Sequence, residues 1–533
     1  MNKLLIIPLG ETSRADVAKA VARHFPNAAI DWLDRSELRR RPLQVLPRLL
    51  RRRYDAAVLV AADLHQPRLR LTGLLLALPR AAGRWRIDLR GNRERFSLGH
   101  HLTRNGLPIV RHAIACAVTL VLGEPILSAI DRAIKPRAPL CNARPKRLLY
   151  LRSQLWFGLA GGGSVAHTAG VIGGLEHAGV DVQVVSSDRL PGVTAPTTIV
   201  PPETWFDGAK RDVEDLAYNV AFFVASIKAA RLVRPQAIYQ RHTAFNCGGA
   251  VLSRVLRLPL VLEFNSSELW KGQYWGGLHL TRAAALVERI NLRAADHVVV
   301  VSHVLRDELV ATGITPDKIV VNPNGVDPEQ FRPDLDGTDV RQRLGLDHST
   351  VVGFSGTFGA WHGIPTLADA LARVAEARPQ VHWLLIGDGP LRRLVDDAVT
   401  QHGLAERVSR PGLVPHAEMP AFLAACDILV SPHGRQADGR EFFGSPTKLF
   451  EYMAAGRPIV ASAVGQIAEA LVDEHSALLV PPDDSAALCS AIVRLVDDAC
   501  LRARLARAAR QAAEEHHTWR QNAERVLECL AAN

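Results

Sequence analysis

The chain of 533 residues has only seven cysteines, and no two of them form a C-x-x-C pair. Cys116, Cys141, Cys247, Cys426, Cys489, Cys500 and Cys529 are scattered. That spacing excludes a zinc ribbon and a disulfide framework, and points to reduced thiols in a cytosolic setting. No D-x-D acidic pair and no H-x-x-x-H cluster occurs at a loop suited to a metal, so no catalytic metal is expected. The opening "MNKLLIIPLG" lacks the long apolar region and cleavage site of a signal peptide. No zinc finger or aromatic–basic RNA signature appears, which makes nucleic acid an unsuitable partner. Nor is there an uninterrupted apolar run of the roughly 20 residues that span a bilayer.

What is present is a globular composition, 48% hydrophobic and 22% charged, in a chain too long for one core. The formal net charge of +10 is unevenly placed. The first 147 residues carry about +17 and the remainder about −7, nearly all the positive charge of that segment being arginine, as in "RRRPLQVLPRLLRRR". Such a segment suits an anionic membrane surface, or is a solvated face written in arginine. Beside it lies Gly106 to Ile130, "GLPIVRHAIACAVTLVLGEPILSAI". Its unbroken apolar part, Ala113 to Leu122, is too short to cross a bilayer. The readings are a buried core helix, or an interfacial or re-entrant one.

Strands and helices alternate along the whole chain, which implies parallel sheets with helices on both faces. Met1 to Asp34 reads strand, helix, strand, with "YDAAVLVAA" and "RWRIDLRG" adding two strands. "KPRAPLCNARPKR" (Lys135 to Arg147) is a proline- and charge-rich linker. A second unit opens with "RLLYLRSQ" and a glycine-rich helix entry, and a third follows "NPNGVDPEQFRP". The expected architecture is α/β throughout. Residues 1–145 form a basic accessory domain, and 146–325 and 326–510 form two Rossmann-like domains facing a cleft. Residues 511–533 close the chain as a helix crossing back. Ligands of such sheets bind beyond the carboxyl ends of the strands.

The stretch "FFGSPTKLFEYMAAGRPIVAS", Phe442 to Ser462, carries the chemistry. A helix start leaves backbone N–H groups without partners at the positive end of the macrodipole. Gly444 permits close approach of a ligand, Ser445 reads as the N-cap, and Pro446 fits the first turn. Thr447 and Lys448 add amides and a mobile cation, so the whole reads as a phosphate-binding end. Glu451 lies one turn deeper on the same side. Its carboxylate repels phosphate but accepts hydrogen bonds from two ribose hydroxyls. Diphosphate beside ribose describes a nucleotide-sugar.

That stretch resembles the nucleotide-sugar segment of GT-B retaining glycosyltransferases of the family-four group, in the form with an S-P-x-K-L-F-E loop. "GGSVAH" (Gly162 to His167), "NGVD" (Asn324 to Asp327), "FSGTFGAWHG", "LLIGDGP" and "CDILVSP" follow in the family's order, and "TWRQNAERVLECL" matches its last helix. The resemblance covers about Lys146 to the C-terminus. It implies a GT-B fold with an extra amino-terminal α/β domain and a metal-independent hexosyltransferase without cofactor. The UDP- or GDP-sugar would be the co-substrate, and a lipid-linked or surface-polysaccharide glycan, such as lipopolysaccharide, the acceptor. It implies His167, His362 and Lys448 as catalytic, and Glu451 as the ribose ligand. Gly162, Gly163, Gly356, Thr357, Gly387, Gly389, Pro415, Gly444, Ser445, Pro446, Thr447 and Lys448 would line the donor. Arg241, Asn265 and Glu268 are acceptor-side candidates at strand ends. With the basic domain, it implies a cytoplasmic enzyme peripheral on the inner membrane face.

Three positions depart from the family. Phe443 stands where a glutamate usually meets the donor sugar, with Glu441 two residues earlier as a substitute only if the loop differs. Thr357 and His362 replace the usual Arg and Lys on the diphosphate. His362 serves there only if the diphosphate raises its pKa. The departures keep a catalytically impaired scaffold open as an alternative, beside a GT-B epimerase or phosphorylase.

Overall fold

The computed structural model describes residues 3–9, 13–33, 41–64, 69–137, 144–153, 162–202, 209–436 and 438–531. Of the sequence readings, Gly161, Cys141 and part of the Lys135–Arg147 linker lie outside the described residues. The chain divides into two compact units. The first comprises Met1–Ile126, Pro202–Tyr218 and Leu278–Leu280; the second comprises the rest.

The first unit is built on a five-stranded sheet of β1 (Lys3–Pro8), β2 (Ala29–Trp32), β3 (Arg53–Ala61), β4 (Arg80–Asp88) and β5 (Arg93–Arg95), in the order β2-β1-β3-β4-β5. The first four strands are parallel and β5 is antiparallel to β4. Strand residues alternate between faces, so Leu5, Ile7 and Leu59 fill one layer while Leu4, Ile6 and Val58 fill the other. This is why "KLLII" is apolar without a break: both faces are covered.

Helix α1 (Leu98–Ala133) runs for 36 residues and begins in this unit. It corrects the core-helix reading of Gly106–Ile130. Leu107, Val110, Ile114, Leu120, Val121 and Ile126 are exposed. It also corrects the length argument, because the helix continues through Pro108 and Pro125 well beyond the uninterrupted run. By length and composition alone, α1 and the helix portion Lys210–Val233 are each long and apolar enough to cross a membrane. Among the described residues, Pro202 and 209–218 are counted with the first unit.

The second unit holds two parallel sheets. The first contains β6 (Arg147–Arg152), β7 (Asp181–Ser186), β8 (Thr197–Ile199), β9 (Ala237–Arg241), β10 (Leu260–Glu263), β11 (His297–Val300) and β12 (Ile319–Val321), ordered β12-β11-β10-β9-β6-β7-β8. The second contains β13 (Thr350–Ser355), β14 (Val381–Ile386), β15 (Val408–Gly412), β16 (Ile428–Ser431), β17 (Ile459–Ser462) and β18 (Leu478–Val480), ordered β15-β14-β13-β16-β17-β18. In each, the earliest strand sits inside the sheet with later strands on both sides, so the order reverses beside β6 and beside β13. That reversal opens a crevice at the carboxyl ends, where α2 (Gly163–His177) follows β6 and the Gly356 turn follows β13.

The chain closes by returning to the first of these sheets. Helix Ala499–His516 buries Ala509 and Ala513 among residues of the second sheet's core. The final helix, Trp519–Ala531, packs on α2. The crossing therefore falls at Thr518, whose neighbour Trp519 donates its amide to Val326 O at 3.2 Å. Gly170 makes this packing possible: a Cβ there would stand 2.0 Å from the Trp519 ring.

Candidate functional site

Helix α3 (Thr447–Ala454) follows the Gly-Ser-Pro turn, and no side chain caps it. The cap position is Pro446, not Ser445. The Ser445 hydroxyl donates to Gln466 Oε1 (3.1 Å) and accepts from the Asn324 amide (3.1 Å). Helix geometry leaves the amides of Thr447 and Lys448 without intrahelical partners. The start of α2 faces the same point: a Cβ on Gly163 would lie 3.1 Å from Thr447 Oγ1. Two helix amino termini thus converge, each the positive end of its macrodipole. The close approach is at Gly163; a Cβ on Gly162 would meet nothing within 4 Å, and Gly444 lies against the Phe442 ring.

The Gly356 turn makes the third side. Gly356 has φ +144°, a conformation open to glycine, and its amide donates to Ile386 O at 2.9 Å. Gly387, with φ +136°, lies against it so closely that a Cβ would stand 1.9 Å from Gly356 O. Gly389 touches the Phe358 backbone in the same way. Thr357 is exposed, and its carbonyl accepts from His362 Nδ1 at 2.5 Å. Burial, then the neighbouring Lys448, holds His362 well below its ordinary pKa. His362 is therefore not a ready-made cation. Lys448 is not mobile either: its Nζ is buried over the Phe354 ring, 4.0 Å from the centroid, with no hydrogen-bond partner among the described residues.

Glu451 is brought to the Val414-Pro415-His416 loop. His416 Nε2 lies 3.2 Å from Glu451 Oε1, and this hydrogen bond raises the histidine's pKa against the opposing effect of burial. Glu451 thus stands beside the loop that follows β15.

On the other sheet, His167 sits on the first turn of α2, buried between Asn324 and Glu263. Its Nδ1 is 2.5 Å from Asn324 Oδ1 and its Nε2 is 2.8 Å from Glu263 Oε1. Asn324 Nδ2 donates to the Ser445 carbonyl at 2.5 Å, which fixes its oxygen toward His167. A chain of contacts thus joins β10 to the donor-side turn through Glu263, His167, Asn324 and Ser445. Glu263 is the residue sequence reasoning missed. It ends the apolar strand "LVLE", and that single carboxylate after three aliphatic residues was the available signal. It also receives Arg241 Nη1 (2.9 Å), Tyr239 OH (2.9 Å) and Asn265 Nδ2 (2.6 Å). Burial opposes its ionisation, but His167 and Arg241 outweigh this and hold the carboxyl well below the usual range. Arg241, an acceptor-side candidate, pairs with this carboxylate at 2.9 Å. Glu268 pairs with Lys271 on its own helix. The carbonyl oxygen of Asn265 is buried without a partner.

The departures also find physical explanations. Phe443 stacks edge-on against Trp270 at 5.1 Å, and its carbonyl accepts from Ser302 Oγ at 2.6 Å. Glu441 Oε1 accepts from the Gly465 amide at 2.8 Å.

Residues 161–330 match the family model "Glycosyltransferase Family 4", and residues 349–498 match "Glycosyl transferases group 1". The structure is similar to Anabaena Alr3699/HepE in complex with UDP and glucose (TM-score 0.57, 22% identity, 72% of this chain and 99% of that one). The chain is built on the GT-B glycosyltransferase fold. WaaG, a glycosyltransferase involved in lipopolysaccharide biosynthesis, shares it (TM-score 0.52, 15% identity, 73% and 100%). In sequence the GT-B chain is 35% identical over 226 residues to D-inositol 3-phosphate glycosyltransferase of Stackebrandtia nassauensis, covering 40% of this chain and 48% of that one. It is 28% identical over 259 residues to the GDP-mannose-dependent alpha-(1-6)-phosphatidylinositol monomannoside mannosyltransferase of Mycolicibacterium smegmatis, covering 48% and 67%. The chain thus spans about half the length of the first of these relatives.

Proposed function

We propose that this chain transfers a sugar, with retention, from a UDP- or GDP-sugar to a lipid-linked or surface-polysaccharide acceptor at the cytoplasmic face of the inner membrane. The observation that carries the reading is the meeting of two helix amino termini at Gly163 and Thr447, with the Gly356 turn alongside. Unpartnered amides and two positive dipole ends suit the departing nucleoside diphosphate, which must be stabilised as the glycosidic bond breaks. The acceptor hydroxyl attacks from the same face of the sugar, and its proton passes to the leaving phosphate. His167 and Asn265 are proposed to stand on the acceptor side of the site.

The stabilising groups are amides, dipoles and nitrogen side chains, so the reaction is proposed to need no metal. Turnover in EDTA should equal turnover in added magnesium; a tenfold loss on chelation would remove that part of the mechanism. A thermal-shift screen against UDP-, GDP- and ADP-sugars tests the donor. A ligand that binds only the folded chain raises the melting temperature, so one base should stand out. No shift with any nucleotide, and no hydrolysis of any donor, would favour a scaffold.

The membrane part rests on the basic amino-terminal segment and on the exposed apolar residues of α1. An amphiphilic surface of this kind binds through buried apolar area and attraction to anionic lipid. Replacing Ile114, Val118 and Val121 together by glutamate should lower partition onto phosphatidylglycerol-containing vesicles by at least about tenfold. Unchanged partition in sedimentation would count against α1 as the contact.

A further inference from the structure

Outside the hydrogen-bonded network around Glu263, the second unit buries a group of nitrogen side chains with no acid assigned to them. Lys448 Nζ and His433 Nε2 are both buried without a hydrogen-bond partner among the described residues. His433 follows β16 and is fully buried; its ring lies 5.0 Å from that of His362. A Cβ on Gly356 would stand 3.2 Å from both Lys448 Nζ and His362 Cε1, so these groups press against the turn from behind. His362 Nδ1 donates to the Thr357 carbonyl, which leaves Nε2 as the position that takes up a proton. His433 Nδ1 is 3.1 Å from Ser431 Oγ.

The elements around this group offer little compensation. On Lys448's own helix, Glu451 is already paired with His416, and the Tyr452 hydroxyl accepts from the Ser355 amide. From the loop before the last helices, Asp483 accepts from the Arg435 amide at 3.3 Å. Phe354 and Phe442 supply apolar walls. Three basic groups in low dielectric without a carboxylate of their own disfavour the charged form. Burial lowers Lys448 well below the usual amine value, with Glu451 opposing, and lowers His433 well below the imidazole value, with Lys448 and His362 adding to the effect.

We propose that Lys448, His362 and His433 form one proton-accepting cluster behind the Gly356 turn, whose missing counter-charge is the diphosphate of the donor, so that donor binding takes up a proton from solvent. This rests on the nucleotide-sugar reading above and adds His433 to it as a positioning residue. The neutral amine gains a proton and becomes an ammonium as the dianionic diphosphate arrives; no bond to the ligand forms or breaks. The sign follows directly. The groups are held low in the free protein and raised when the anion is present. Affinity is therefore greatest at low pH and falls as pH rises, by up to about tenfold per unit for each proton taken up.

The test is titration calorimetry of the full chain with UDP and with GDP at pH 8, where the nucleotide phosphates are fully ionised, in Tris and in HEPES. The difference in observed heat between buffers gives the protons exchanged. Uptake of at least about half a proton per bound nucleotide is expected. It should fall by more than half in Lys448→Met and partially in His433→Gln, both of which remove a base without burying a new charge. Binding without proton uptake, or uptake unchanged in Lys448→Met, overturns the cluster and leaves the donor site standing. Absence of binding by either nucleotide overturns both.

Discussion

Glu451→Ala should weaken UDP or GDP binding about 100-fold, or about 3 kcal/mol, while the chain stays folded. The carboxylate is proposed to accept two ribose hydroxyls, and each hydrogen bond to a charged group contributes about 1.5–3 kcal/mol. Among the described residues its side-chain hydrogen-bond partner is His416, on a partly exposed loop. Removing the carboxylate therefore strands no deeply buried charge. Calorimetry supplies the affinity and the melting temperature supplies the control. Wild-type affinity in the variant would show that the ribose is held elsewhere. Glu451→Gln should recover part of the loss, because an amide oxygen still accepts one hydroxyl.

Glu263→Ala should act in the opposite sense, on the fold before the ligand. The carboxylate is fully enclosed and balances Arg241, with His167 2.8 Å away. Removing one partner of a buried pair leaves the other uncompensated, at a cost of about 3–5 kcal/mol. The loss should appear as a lower urea midpoint of the second unit. Because its folded pKa is depressed, the stability this residue contributes is present above the unfolded glutamate value of about 4.3 and is lost as pH falls through the folded value. Glu263→Gln should thus flatten the acid limb of the stability curve below about pH 4. An unchanged urea midpoint, with the acid limb intact, would mean that the network is not a structural hub.

Much of the architecture was legible because its physics is local. The apolar strands "LLIIP", "RLLYLR" and "VHWLLI", each followed by a helical pattern, could only be central strands of parallel sheets. The glycine turns at Gly356 and Gly387 were legible for the same reason: only glycine meets the backbone at those angles. Gly163 and Thr447, which the family resemblance named together, lie side by side. What was not legible depends on distant partners. Ser445 looked like a cap because serine before a helix usually is one, yet Gln466 and Asn324 claim its hydroxyl. The partner of Arg241 was not legible because Glu263 stands on the next strand. His433 carries no local motif, and only the folding of β16 beside the Gly356 turn gives it neighbours. Helix α1 was underestimated because the apolar run was counted between charged residues, although a helix continues through them.

The placement of a pyrophosphate between two helix starts can be seen directly. A crystal structure of the full chain with UDP or GDP bound should show the phosphates within hydrogen-bond distance of the Thr447 and Lys448 amides, with the Gly162–Gly163 backbone on the opposite side and the ribose on Glu451. A nucleotide seated elsewhere, or a protein side chain filling the tip of α3 in its presence, would contradict the account.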